Sequence, residues 1–301
     1  MKNLSKTIVF FGSGPIAARS LQLLQDNFKI EAVITKPQPS HHKELPPVLA
    51  VANKFTLPTL TISSQAEQSA LFDRYPFSSD TGLVIDHGIL IARDIIDRFA
   101  YGIINSHFSL LPRWRGADPI SFAILSGEHE TGVSLMVIND KLDEGDLLAQ
   151  QSILLPKTVT SPQLTDQLIG ISHQLLVDTL PRYWSGSIRP FPQNHTKPSY
   201  SRKLTKADGT IDWHKPAQIL EREVRAFLNW PRSRTSLRGI DIIITAAHVK
   251  KGNGVAGQLC RFNHDLGVYC AKDILIIDRL IPAGKKEMPA QAFINGYHII
   301  P

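Results

Sequence analysis

Thr7-Ile8-Val9-Phe10-Phe11-Gly12-Ser13-Gly14-Pro15-Ile16-Ala17 is the stretch from which the fold is read. Five residues dominated by β-branched and aromatic side chains end at a glycine pair, and a proline stands at the first position of the helical pattern that follows. A strand, a tight turn and a helix therefore succeed one another within about twenty residues. Working outward, further strand-like runs are expected at 30–34, 82–86 and 102–106, with helical segments at 16–25, 47–54, 65–72 and 92–99. Short apolar strands alternating with helices predict a doubly wound α/β domain with a mostly parallel sheet. Strands are also expected at 133–138 and 147–154, and a helix from Ser161, with Pro162 at its first position, to Trp184.

Residues 185–198 are rich in Pro, Gly, Ser and polar side chains, a composition that marks a linker. The predicted organisation is one domain over 1–184, a linker over 185–202 and a second domain over 203–301. An amphipathic helix is expected over 216–228. Strand-like runs at 236–248, 267–271, 274–280 and 291–299 then point to a small, OB-like β-barrel.

Composition narrows the function classes. The chain has 301 residues, of which 43% are hydrophobic and 20% charged. It has no apolar run long enough for a membrane span and no basic-then-apolar leader at Met1–Lys6, so a cytoplasmic protein without a membrane partner is expected. Cys260 and Cys270 match no zinc spacing, and no metal is expected. The net charge of +6 is unevenly spread. From Arg189 onward there are 18 Lys/Arg against 9 Asp/Glu, and before it 15 against 18. A basic module after a slightly acidic one predicts a polyanionic partner for the C-terminal part.

Gly12-Ser13-Gly14-Pro15-Ile16-Ala17 formally satisfies a dinucleotide-binding pattern. The second strand, however, ends Ile34-Thr35-Lys36-Pro37, without the acid that would hold a ribose. A tight strand-to-helix turn is the favoured reading, and an NADP enzyme using Lys36 is the second. Chemistry is read instead from Asn105 and His107, which close the fourth strand-like run, and from Asp143 in the loop 139–146 (NDKLDEGD). Loops at the C-terminal ends of parallel strands face the ligand crevice. An amide, an imidazole and a carboxylate meeting there can supply the oxyanion donor, the proton acceptor and the orienting group that acyl transfer to an amine requires. Spacing alone leaves each of the three open to a duller role as a turn or surface residue.

The segment Asn105-Ser106-His107-Phe108-Ser109-Leu110-Leu111-Pro112-Arg113-Trp114-Arg115-Gly116 resembles the signature of the folate-dependent formyltransferases, in which Asn, one residue, His, then Ser-Leu-Leu-Pro and Arg-Gly recur. The resemblance covers nearly the whole chain and narrows to the branch that formylates methionyl-tRNA. It rests there on Lys203–Trp213, Val224–Pro231, and Pro282–Met288 with Phe293–Tyr297, the last similar to the family's final barrel strand. It implies catalytic roles for Asn105 on the formyl oxygen, His107 on the amine proton and Asp143 in orienting the imidazole. It also implies a folate site at Ser109, Leu110, Leu111, Pro112, Gly88, Ile89, Leu90 and Asp140, and tRNA contacts at Lys36, Lys43, Arg202, Lys203 and Lys206. The implied donor is 10-formyltetrahydrofolate and the implied acceptor is initiator methionyl-tRNA, for translation initiation, with the enzyme a monomer.

Three departures stand out. Asp86-His87-Gly88 replaces the family's usual Ala-Tyr-Gly, the stretch 36–45 is short, and Asp118 replaces a small residue. Formyl transfer to a small amine (an amino sugar nucleotide or glycinamide ribotide), a formyl-folate hydrolase, and a tRNA-binding factor with a dead catalytic domain are the alternative readings. The basic C-terminal module disfavours the first two, and the three intact catalytic residue types disfavour the last.

Overall fold

The computed structural model describes residues 7–39, 44–262 and 265–298, with the side chains of residues 261 and 262 left undescribed. Two compact units are present. The first comprises 1–119, 130–153 and 165–201, and the second 120–129, 154–164 and 202–301.

In the first unit, the strands are β1 (Thr7–Phe11), β2 (Lys29–Thr35), β3 (Thr59–Thr61), β4 (Gly82–Val84), β5 (Ile103–His107), β6 (Arg115–Gly116), β7 (Glu130–Val137), β8 (Leu147–Leu154) and β9 (Tyr200–Ser201). Seven of them form one sheet in the order β3-β2-β1-β4-β5-β7-β8. The first five run parallel, and β7 is antiparallel to β5. Every residue of β1 is buried, as a central strand covered on both faces requires. Val9 and Phe11 point into one apolar cluster with Phe72, Ile95, Phe99 and Ile103. The helices are α1 (Pro15–Leu24), α2 (Pro47–Lys54), α3 (Gln65–Arg74) and α4 (Arg93–Ile96), the last a single turn where eight helical residues were expected. Helix α5 (Pro119–Ser126) lies in the second unit's share of the chain. Helix α6 (Ser161–Trp184) starts there and continues into the first unit.

Residues 185–201 have the composition of a linker, yet they pack within the first unit. Phe191 bridges Leu147, Gln193 is buried, and β9 pairs in parallel with β6. A Pro- and Gly-rich stretch lacks a regular ladder, which does not prevent its side chains from finding partners.

The second unit holds a curled antiparallel half-barrel. Its strands are β10 (Ser233–Leu237), β11 (Ile240–Lys250), β12 (Leu259–Phe262), β13 (Asp265–Tyr269), β14 (Ile274–Pro282) and β15 (Met288–Pro289), in the order β10-β11-β14-β13-β12 with β15 on β14. The run 236–248, read from sequence as one strand, is a hairpin instead. Arg238 and Gly239 both take positive φ, 47° and 80°, as a two-residue hairpin turn demands. Helix α7 (Ala217–Ala226) packs Leu220 and Val224 into the barrel core.

The expected last strand over 291–299 is corrected to a helix, α8 (Ala290–Tyr297), while residue 299 lies outside the described residues. Its buried residues are Ala290, Phe293 and Ile294. That three- and four-residue spacing is helical, and Pro289 stands at the N-cap. The strand reading had weighted residue type over period. Phe293 is fully buried in the core with Leu266, Ile277 and Leu280. Truncating Phe293→Ala is expected to lower the second unit's stability by about 3–5 kcal/mol, read as a shifted denaturant midpoint at unchanged slope.

Candidate active site

The residues around Asn105 and His107 described next lie within the first unit. Strand β5 ends at the C-terminal edge of the parallel strands. Its two-residue period puts Asn105 and His107 on the same face, where they meet Asp143. Asn105 Nδ2 donates to Asp143 Oδ1 at 3.4 Å, and His107 Nδ1 stands 3.9 Å from Asp143 Oδ2, ion-pair range without a hydrogen bond. The Gly116 N–H donates to Asp143 Oδ2 at 2.7 Å. His107 and Asp143 are only 6% and 9% exposed. Structure thus brings together the three residues that sequence singled out.

The His107 ring is oriented from its other side. Nε2 lies 2.9 Å from the carbonyl oxygen of Trp114. A carbonyl only accepts, so this contact assigns a hydrogen to Nε2 and leaves Nδ1 as the ring nitrogen that carries the lone pair in the neutral imidazole. Nδ1 is the nitrogen that faces Asp143.

Behind the trio, Ser134 on β7 holds the Ser109–Pro112 loop. Its hydroxyl donates to the Ser109 carbonyl at 2.6 Å and accepts from the Leu111 N–H at 2.9 Å and from Gln150 Nε2 at 2.8 Å. Gln150 Nε2 also reaches the Leu111 carbonyl at 2.9 Å. Ser109 is fully buried and spends its own hydroxyl on the Arg113 carbonyl at 2.5 Å, so its side chain is an internal brace. Leu111 is buried too, and Leu110 and Pro112 are half-buried. Gly88, Leu90 and Asp140 are exposed, and Ile89 packs on the apolar cluster beneath β1.

Sequence reasoning missed Ser134, Gln150 and Gln193. For Ser134 a signal existed, since a serine inside the apolar run Val133–Ile138 must find partners if the strand is buried.

The glycine turn after β1 is filled from inside the chain. The Asp86 carbonyl accepts from the Ser13 and Gly14 N–H groups, and its carboxylate takes hydrogen bonds from the backbone of Ile16 and Ala17. A Cβ on Gly14 would lie 1.8 Å from Asp86 Oδ2. The N-terminus of α1, where a dinucleotide phosphate would sit, is thus occupied by the chain's own carboxylate, which rules against the NADP reading. Asp86 keeps an exposed face but is recessed among protein atoms. That desolvation pushes its carboxyl up from 3.8 to about 6, with the charge of Asp118 adding to the rise and the two backbone hydrogen bonds and Lys36 opposing it. Lys36 is exposed, with Nζ 3.2 Å from where a Gly88 Cβ would stand. His87 is buried edge-on against Phe11, and burial and Lys36 together push its imidazole down to about 4.

Of the other residues expected to meet tRNA, Arg202, Lys203 and Lys206 are exposed in the second unit, Arg202 paired with Asp208. Lys43 lies outside the described residues. Among the described residues, no group of three or more His, Cys, Asp or Glu side chains is disposed to hold a metal ion, and no helix is long and apolar enough to cross a membrane.

Residues 5–180 match the formyl transferase family, and residues 203–298 match the formyl transferase C-terminal domain. The chain belongs to the formyl transferase family. This formyl transferase is 34% identical over 305 residues to the methionyl-tRNA formyltransferase of Roseiflexus castenholzii (strain DSM 13941 / HLO8), covering 98% of this chain and 97% of the relative. It is 35% identical over 299 residues to the protein of that name from Pseudoalteromonas translucida (strain TAC 125), covering 96% and 93%. Among solved structures, its fold resembles an N-formyltransferase from Helicobacter canadensis in complex with folinic acid and dTDP-3-aminofucose, with a TM-score of 0.68, 19% identity and coverage of 91% and 98%.

The elevated Asp86 carboxyl makes a stability prediction for this formyl transferase. With its folded value near 6 and its ordinary value at 3.8, the folded chain binds the proton more tightly than the unfolded one. This contribution is complete below about pH 4 and is lost as pH rises through about 6. Asp86→Asn keeps an acceptor for the Ile16 and Ala17 N–H groups. Its stability relative to wild type is expected to rise between pH 4 and 7 in chemical denaturation, and a pH-independent difference would count against the assignment.

Proposed function

We propose that this formyl transferase moves the formyl group of 10-formyltetrahydrofolate to the α-amine of methionine on initiator tRNA, for translation initiation. The observation that carries the site assignment is the meeting of Asn105, His107 and Asp143 at the C-terminal edge of β5, with Nδ1 of His107 as the free proton acceptor. The near-full-length similarity to proteins named methionyl-tRNA formyltransferase supports the acceptor. Residues 1–184 would form the catalytic domain, 185–202 the connection and 203–301 the tRNA-binding domain. The reading carries with it a monomeric enzyme of the cytoplasm.

The neutral amine attacks the formyl carbon, forming the C–N bond and placing negative charge on the formyl oxygen. Asn105 Nδ2 is the donor for that oxyanion, a contact worth about 3–4 kcal/mol in comparable sites. His107 Nδ1 takes the proton lost by the attacking nitrogen, and the imidazolium so formed faces Asp143 Oδ2. Collapse of the tetrahedral centre breaks the bond to N10 of the folate, which leaves with a proton returned from His107. The products are formylmethionyl-tRNA and tetrahydrofolate.

In the folate site, the backbone of the Ser109–Pro112 loop and the exposed Gly88, Leu90 and Asp140 would contribute, with Ile89 as apolar backing. Because the Ser109 hydroxyl is already bonded inside the protein, the loop acts through its backbone and through Leu110. In the C-terminal domain, Arg202, Lys203 and Lys206 would contact tRNA phosphates, while Lys36 and Lys43 would approach the acceptor from the catalytic domain. Small amine acceptors would not need the basic module.

The test is formylation of initiator methionyl-tRNA by the purified protein with 10-formyltetrahydrofolate, with free methionine as control. Transfer is expected to fall by about 10²–10⁴-fold in His107→Ala and about 10²–10³-fold in Asn105→Ala. Discharge of the folate without transfer to tRNA would remove the acceptor assignment. Phosphate contacts also predict that raising salt from 50 to 200 mM weakens tRNA binding steeply while leaving the KM for the folate nearly unchanged. Equal salt dependence of the two would argue against a phosphate-reading domain.

A further inference from the structure

Asp143 sits in an exposed loop, yet its carboxylate has to be placed to within tenths of an ångström to serve Asn105 and His107. Within the loop the Lys141 N–H donates to Asn139 Oδ1 at 2.9 Å, and the Val137 N–H holds the Asp146 carbonyl at 2.8 Å, but neither contact reaches Asp143. Asp143 takes a left-handed backbone conformation (φ 52°), and Lys141 and Leu142 before it are exposed. Gly145 passes so close to β7 that an added Cβ would meet the Val137 carbonyl oxygen at 1.8 Å. The grip comes from fifty residues downstream. Gln193 is 4% exposed, and its Nε2 donates to the Asp143 carbonyl at 2.9 Å and to the Gly145 carbonyl at 2.7 Å.

The amide orientation of Gln193 is dictated by its neighbour. Arg115, 2% exposed, donates from Nη2 to Gln193 Oε1 at 2.9 Å. A guanidinium has no acceptor, so the amide oxygen must face it and the amide nitrogen must face the loop. Nη2 also lies 3.0 Å from His195 Nδ1, and Nη1 pairs with Glu144 Oε1 at 2.8 Å. Arg115 thus holds the loop twice, directly at Glu144 and through Gln193. The next residue, Gly116, supplies the N–H that binds the Asp143 carboxylate itself.

We propose that Gln193, oriented by Arg115, is a positioning residue for the reaction: by clamping the carbonyl oxygens on either side of Glu144 it sets where the Asp143 carboxylate stands. The inference rests on the catalytic reading of Asn105, His107 and Asp143. It adds that the group which aligns them comes from the irregular segment after α6.

Gln193→Glu tests it, because the shape and the Arg115 contact survive while both N–H donors to the loop are lost. Turnover of methionyl-tRNA formylation is expected to fall roughly tenfold to hundredfold, the scale of a misplacement of about 1 Å. KM for tRNA should stay within about threefold, since the proposed tRNA contacts lie outside this loop, whereas KM for the folate can move with Asp140, which the loop carries. A merely structural role is separated by combining variants. If Gln193 acts through Asp143, the double variant Asp143→Ala/Gln193→Glu is no slower than Asp143→Ala alone. Gln193→Met, which also lacks the donors, is the second variant should the buried carboxylate prevent folding, with thermal melts run on every protein. Wild-type turnover in a folded Gln193 variant, or additive losses in the double variant, overturns the inference while leaving the catalytic reading intact. Full activity in Asp143→Ala removes the catalytic reading and the inference with it.

Discussion

A β-strand shows every second side chain to the same face, and β5 ends on two polar ones, Asn105 and His107, that share a face. Neither can turn away without losing the strand's register, and that register is held by the parallel neighbour β4 on one side and the antiparallel neighbour β7 on the other. The functional geometry starts from that constraint. Asp143 is then brought to the pair from a loop, and the His107 ring is anchored from behind by the Trp114 carbonyl. Strand on one side and clamped loop on the other bring the Asn105 amide, His107 Nδ1 and the Asp143 carboxylate together.

Much of this was legible in the chain. The β-branched apolar runs set between turn signals gave away β1, β2, β4 and β5, because buried parallel strands have little choice of residue. The motif from Asn105 to Gly116 pointed to residues that the fold brings together at the end of β5. What could not be read were the features decided by distant partners. Gln193 lies in a stretch whose composition says only that it lacks a regular ladder, and nothing local marks one glutamine there as buried. Ser134 was hidden for the opposite reason, a small polar residue within an apolar strand. The barrel's last element was misread because Phe293, Ile294 and Tyr297 favour strands by type while their spacing is helical. Asp86 stood out as a departure, but its role depends on the folded turn at Gly14.

Asp86 illustrates how a sequence pattern can be satisfied while its usual chemistry is absent. Glycines at 12 and 14 allow a tight turn and expose the amide groups at the start of α1, as phosphate-binding turns do. Here those amides are consumed by one residue, through its carbonyl and its carboxylate together. The turn is a packing device, and the adjoining Lys36 and Asp118 shape a charged rim in which the Asp86 carboxyl sits above its ordinary value.

The clamp on the Asp143 loop has a consequence for how the protein is made. The ladder between β6 and β9, the Gln193 amide and the buried Arg115 all require residues 193–201. All seven strands of the sheet precede this segment in the chain, so the Gln193 contacts to the Asp143 loop can form only after β8 has been made. Glu144, the charged partner of Arg115, precedes that segment in the chain, whereas Gln193 and His195 belong to it. The clamp on the Asp143 loop is therefore in the last stretch of the first unit to be synthesised, after every strand of the sheet it is packed against.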